Sequence, residues 1–166
     1  MIFVTVGTHE QPFNRLISKI DDLKRDGIIA DHTIIQTGFS DYEPKYCEWK
    51  KLYTYAEINE LVDKANIVVT HGGPSSFIMA LQHQKIPLVV PRQKKYNEHV
   101  NDHQVEFCKK VQERYGNIIV VDDTDKIGDY ITNYGSYISN MNSELKSNNE
   151  SFCEELSRIV DDLLNN

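Results

Sequence analysis

Short apolar runs that alternate with amphipathic helical patterns constrain the fold of this chain more than any other feature. The strand candidates are Ile2–Val6, Thr33–Gln36, Trp49–Tyr53, Ile67–Thr70, Leu88–Val90 and Ile118–Val121. Between them, Phe13–Arg25 places Phe13, Leu16, Ile17, Ile20 and Leu23 on one helical face, and Tyr55–Lys64 repeats Ile58, Leu61 and Val62 at helical spacing. Ser75–Gln84, His99–Arg114 and Lys126–Asn140 supply further helices. Continuous apolar strands separated by helices imply a parallel sheet covered on both faces. The expected fold is therefore a Rossmann-like, doubly wound α/β domain, whose ligands sit beyond the carboxyl ends of the strands.

Two strand ends carry turns suited to an anion. Ile67–Thr70 empties into His71-Gly72-Gly73-Pro74-Ser75-Ser76. Gly72 and Gly73 let the backbone approach a ligand closely, while Ser75 and Ser76 can cap the next helix, whose N–H groups and dipole favour phosphate. The first strand runs into Gly7-Thr8-His9-Glu10-Gln11-Pro12, with Pro12 placed for a first helical turn. Two such turns in one small chain point to a nucleotide-type ligand.

Bulk properties exclude several classes. At 166 residues with 40% hydrophobic content, the chain is long enough for one good core. A net charge of −7 argues against general nucleic-acid binding, which wants a basic face. No apolar run approaches the roughly 20 residues of a membrane helix, and no basic-then-apolar leader opens the chain. Cys47, Cys108 and Cys153 are widely spaced and form no CxxC, so they read as reduced cytosolic thiols.

Four histidines, His9, His71, His99 and His103, fall in the site loops. The segment from Pro91 to Gln104 leaves a strand end with Arg92, Lys94 and Lys95, which could offset a diphosphate, face water as a solvated loop or meet a membrane headgroup. Asp102, His103 and Gln104 can make directed hydrogen bonds to sugar hydroxyls. His99 and His103, four apart on a helix, could share a metal ion, but with no third ligand evident no metal site is expected. Asp123-Thr124-Asp125 resembles a metal-binding DxD, and the simpler reading is a helix start. Asp21-Asp22 and Asp161-Asp162 read as exposed helix faces. His9 and Glu10 stand at the mouth of the first turn, where either could serve as a general base or His9 could contact the donor or hold its loop.

Gly7-Thr8-His9-Glu10-Gln11-Pro12-Phe13, His71-Gly72-Gly73 and Asn101-Asp102-His103-Gln104 together resemble the C-terminal, donor-binding domain of family 28 glycosyltransferases. The likeness runs in order from Met1 to about Val121 and is greatest to small catalytic subunits of split transferases. These include the cytosolic subunit of the dolichol-linked UDP-GlcNAc transferase and bacterial capsule or exopolysaccharide galactosyltransferase subunits. The resemblance implies half of a GT-B fold that binds a UDP-sugar without metal or other cofactor. Gly7, Thr8 and His9 would then approach the diphosphate or sugar, His71, Gly72, Gly73, Ser75 and Ser76 the phosphates, and His103 and Gln104 the sugar. Gln36-Thr37-Gly38 fits a family loop near the base, which adds Gln36 and Gly38. Many such domains hold the ribose with an acidic residue where this chain has Ala80, beside Met79, so Glu98 or Asp102 would have to substitute or ribose recognition must differ.

The implied activity is inverting transfer of a hexose, galactose first, from UDP to a lipid-linked saccharide in capsule or exopolysaccharide synthesis. Because the chain supplies one Rossmann-like domain of the two in a GT-B enzyme, a membrane-anchored partner subunit is expected to hold the acceptor. That would place this chain in the cytoplasm at the inner membrane face. Residues 1–141 would form the donor domain, and 142–166 a polar connector and C-terminal helix. In that helix Leu156, Ile159, Val160, Leu163 and Leu164 form a stripe that packs on its own domain or docks on the partner. A non-catalytic UDP-sugar-binding subunit, a transferase specific for UDP-GlcNAc or UDP-GlcA, and a sugar-nucleotide epimerase remain as alternatives. A dinucleotide oxidoreductase is disfavoured because no GxGxxG follows the first strand.

Overall fold

The computed structural model describes residues 1–141 and 153–159. Six strands form a single sheet: β1 (Ile2–Thr5), β2 (Thr33–Gln36), β3 (Glu48–Lys50), β4 (Ile67–His71), β5 (Leu88–Val90) and β6 (Ile119–Val120). Every pairing is parallel, and the spatial order is β3-β2-β1-β4-β5-β6. The chain winds outward from β1 in one direction and from β4 in the other. The crevice between the carboxyl ends of β1 and β4 is the switch point where doubly wound sheets bind ligands. Both glycine turns leave the sheet there.

Alternate residues of each strand serve opposite layers, because side chains on a strand point to opposite faces with a period of two. Ile2 and Val4 join the cluster of α1 (Asn14–Arg25), α5 (Ile127–Thr132) and α6 (Tyr134–Ile138). Phe3 and Val68 join Val62 of α2 (Tyr55–Lys64) and Ala80 of α3 (Pro74–Gln82) on the other face. Phe77 and Leu81 of α3 meet Cys108 of α4 (His103–Tyr115) below β5.

The boundaries differ from the sequence expectation where local chemistry intervenes. The third strand, expected over Trp49–Tyr53, covers only Glu48–Lys50 at the sheet edge, because Thr54 caps α2 in a box with Glu57. The helix expected from His99 begins at His103. A 3₁₀ turn over Lys94–Tyr96 and a left-handed Asn97 (φ 57°) hold the preceding residues off the helix. His99 and His103 therefore do not share a helix face, and the geometry for a two-histidine metal ligand on one face is gone. The helix expected over Lys126–Asn140 breaks at Asn133 into α5 and α6.

Asp21, expected on an exposed face, is 1% exposed. Its carboxylate accepts from Tyr42 Oη and from the backbone N–H groups of Lys45, Tyr46 and Cys47, which ties the β2–β3 loop to α1. Burial alone would raise its pKa, but these four donors outweigh it and hold the carboxyl below its ordinary value. Asp21→Ala strands those donors and is expected to cost about 2–3 kcal/mol. Because the folded pKa lies below the unfolded value of about 3.9, the stabilisation is complete above that pH and is lost as pH falls through the folded value. Urea unfolding of wild type and variant should therefore show a gap at neutral pH that narrows in acid; a constant gap would sink this account.

The segment 153–159 is helical and exposed throughout, including Leu156 and Ile159. Residues 142–152 and 160–166, with Val160, Asp161, Asp162, Leu163 and Leu164, lie outside the described residues. Among the described residues no helix is long and apolar enough to cross a membrane.

Candidate functional site

At the β1/β4 crevice lies a cleft of about 490 Å³ lined on one side by Thr5, Gly7, Thr8, His9, Gln36 and His71. The facing wall comes from α2 and α3: Tyr55, Ile58, Ser75, Ser76, Met79 and Gln82. The cleft is thus polar near the strand ends and apolar toward Tyr55, Ile58 and Met79. Gly73 is the N-cap of α3 and gives no side-chain cap, and Pro74 carries no N–H. Ser76 N turns back to Gly73 O at 3.1 Å, and the first turn sets the positive end of the helix dipole beside the cleft wall formed by Ser75 and Ser76. Buried polar atoms without partners gather at these strand ends: Gln36 Oε1, Thr37 Oγ1, Thr70 Oγ1 and His71 Nδ1. Gln36 uses only its Nε2, which donates to Gly7 O at 3.3 Å.

His71 explains the glycines around it. A Cβ on Gly7 would stand 2.4 Å from His71 Cε1, and one on Gly73 would stand 2.3 Å from His71 Nε2. Both backbones crowd the Cε1–Nε2 edge of the imidazole. Gly38 in turn packs on Gly7, where a Cβ would lie 2.6 Å from Gly7 O, and it does not line the cleft. Gly72 lies against Cys108 and Gln104 of α4. These glycines therefore serve the packing of the site's own parts before any ligand arrives. Burial, with the nearby charges of Arg92 and His9, pushes His71 down to about 4, so it is neutral at physiological pH.

Arg92 and Glu98 form the frame. Arg92 is 1% exposed and its guanidinium points inward: Nη1 donates to the carbonyls of Gln11, Pro12 and Glu98, and Nη2 to that of Val6. It also lies 4.8 Å from the Phe13 ring. Burial lowers its pKa to about 10, which leaves it charged at neutral pH. Glu98 takes a bidentate pair from Arg15 at 2.8 Å and accepts from Gln93 N. Neither side chain lines the cleft, so the ribose role considered for Glu98 does not fit its position. Asp102 is likewise engaged, accepting from Lys94 N, and stands outside the cleft.

A second cavity of about 430 Å³ opens beside the first, lined by Gly72, Pro74, His99, His103, Gln104 and Phe107. Gln104 Oε1 accepts from Arg92 N at 3.1 Å, which orients its amide. His9 and His99 connect the two spaces, with ring centroids 5.2 Å apart. Thr8, on the wall of the first cavity, and Glu10 are both exposed. Of the expected residues, Gly7, Thr8, His9, Gln36, His71, Ser75 and Ser76 line the first cavity and Gly72, His99, His103 and Gln104 the second, while Glu10, Gly38, Gly73, Arg92, Glu98 and Asp102 line neither. Sequence reasoning missed Tyr55, Ile58 and Gln82 as lining residues. The spacing of Ser75, Ser76, Met79 and Gln82 on one face of α3 was the available signal, and it also shows why Ala80, fully buried, faces away.

Residues 1–161 match the family described as the glycosyltransferase family 28 C-terminal domain. No curated protein matches the chain. Among solved structures, the glycotransferase of kitacinnamycin superposes with a TM-score of 0.57 at 16% identity, covering 84% of this chain and 34% of that one. The glycosyltransferase SnogD from Streptomyces nogalater gives 0.50 at 13% identity, covering 85% and 39%. At these identities the likeness is one of fold, and the chain spans little more than a third of either protein.

Proposed function

Because the chain belongs to the glycosyltransferase family 28 C-terminal domains, we propose that it is the donor-binding part of a glycosyltransferase and takes a UDP-sugar in the β1/β4 cleft. The cleft itself carries this reading: one end offers an uncapped helix terminus and close backbone, the other an aromatic and aliphatic wall. A nucleoside diphosphate has the matching polarity, its base against Tyr55, Ile58 and Met79 and its phosphates at Gly7, Thr8, Ser75 and Ser76. Gln82 supplies polar groups where Ala80 cannot, and the second cavity takes the sugar, with His103 and Gln104 as its polar wall. Departure of UDP places negative charge on the diphosphate, which the α3 terminus is oriented to stabilise. Glu10, or a group on a partner, removes the acceptor proton.

In this reading the donor sugar is galactose, the acceptor is a lipid-linked saccharide, and a membrane-anchored partner holds it. The exposed Leu156 and Ile159 on the 153–159 helix support a docking role there.

Calorimetric titration of UDP, UDP-Gal, UDP-GlcNAc and UDP-GlcA into the full chain with EDTA tests the donor. One UDP-sugar should bind in preference to the others. Ser76→Glu, which sets a carboxylate at the helix terminus, should weaken binding at least tenfold, or about 1.4 kcal/mol. Wild-type affinity in that variant would remove the phosphates from this end of the cleft. Sugar transfer by the chain with membranes bearing a lipid-linked acceptor then tests the acceptor class.

A further inference from the structure

His9 and His99 share one local device. His9 Nδ1 accepts from Gln11 N at 3.1 Å, and His99 Nδ1 accepts from Asn101 N at 3.4 Å, each a bond to the amide two residues on. A neutral imidazole whose Nδ1 accepts carries its proton on Nε2. The free nitrogen of each ring is then a donor, with no lone pair to take a proton. The two rings meet at 5.2 Å where the two cavities join, His9 lining one and His99 the other.

We infer that His9 and His99 act as a paired set of neutral Nε2–H donors for a phosphate oxygen at this junction, and that His9 is not the general base. This rests on the UDP-sugar reading and assigns the pair a place within it: the oxygen linking the cleft to the sugar cavity is the one on which a departing diphosphate gathers charge. Burial, Arg92 and the neighbouring His99 hold His9 below its ordinary pKa, with Glu10 only partly opposing, in keeping with a neutral ring. Proton abstraction through Nε2 would require the other tautomer and would cost the bond from Gln11 N. The same two bonds orient both rings before a ligand arrives, so little ordering is left to do on binding.

Two measurements on the full chain test the pair. Nitrogen NMR of the ligand-free protein at neutral pH should show His9 and His99 protonated at Nε2; an Nδ1–H form for both would overturn the inference whatever binds. In calorimetry with the preferred UDP-sugar, His9→Ala and His99→Ala should each lose about tenfold in affinity, in line with a hydrogen bond to a charged group. His9→Gln keeps an N–H near the position of Nε2 but cannot act as a base, and should recover most of the affinity and transfer lost in His9→Ala. Transfer lost in His9→Gln as fully as in His9→Ala, with binding kept, would restore the base. Wild-type affinity in both alanine variants would remove the pair from the site while leaving the UDP-sugar reading intact. If the wild-type chain binds no UDP-sugar and no inorganic pyrophosphate, both readings fall together.

Discussion

Arg92→Met is expected to lower the unfolding free energy by about 3–5 kcal/mol, with nucleotide binding lost at the same time. The guanidinium satisfies the carbonyls of Val6, Gln11, Pro12 and Glu98, and three of these belong to the loop carrying Gly7, Thr8 and His9. Methionine fills much of the volume but donates nothing, so four acceptors lose a partner in a place water reaches poorly. Domains of this size are stable by only about 5–15 kcal/mol, which makes the loss a large fraction of the whole. Guanidinium unfolding measures it directly. Hydrogen exchange at Gly7–Gln11 should rise more than exchange at β5, since the loop loses its tether. A loss below about 1 kcal/mol would mean that the carbonyls find other partners and that Arg92 does not organise the loop.

Gly73→Ala should cost about 1–3 kcal/mol through overpacking alone. Gly73 has an ordinary φ of −76°, so no backbone strain confuses the result. The added methyl meets His71 Nε2 at 2.3 Å, and Gly7 crowds the same Cε1–Nε2 edge of the ring, which limits how far it can shift. Gly7→Ala should cost more, because φ there is +73° and a left-handed alanine adds about 1–2 kcal/mol to the clash. The decisive variant is Gly73→Ala combined with His71→Ala, which removes the obstructing ring. The double variant should recover part of the loss, giving a favourable coupling above about 1 kcal/mol in a double-mutant cycle. Simple additivity would show that the two residues do not touch in solution as they do here.

Much of this architecture was readable along the chain. Two strands, Thr33–Gln36 and Leu88–Val90, and the helix Tyr55–Lys64 sit where apolar periodicity put them, and the other strands differ by a few residues. Strand-then-glycine junctions at Gly7 and His71 were legible as turns at one edge of the sheet, where both line the cleft, because a parallel sheet sends every carboxyl end to one edge. Errors gathered in the loops. Asn97 in a left-handed conformation, which delays α4, has no periodic signature, and it is the reason His99 leaves the helix and comes to lie beside His9.

Local pattern therefore determined the class of fold, the order of its elements and the edge of the sheet at which chemistry is possible, because periodicity and turn residues act over a few neighbours. Which polar side chains face the cleft was decided only by the tertiary structure. Arg92 looked like a phosphate cation and is consumed by carbonyls from residues 6, 11 and 12, some eighty positions away. Asp21 looked like a solvated carboxylate and is the hub of a distant loop. The donor sense of His9 follows from one bond to Gln11 N and a neighbour ninety residues off. A buried charge or an imidazole takes its role from whichever groups surround it, and the fold brings those groups together from across the chain.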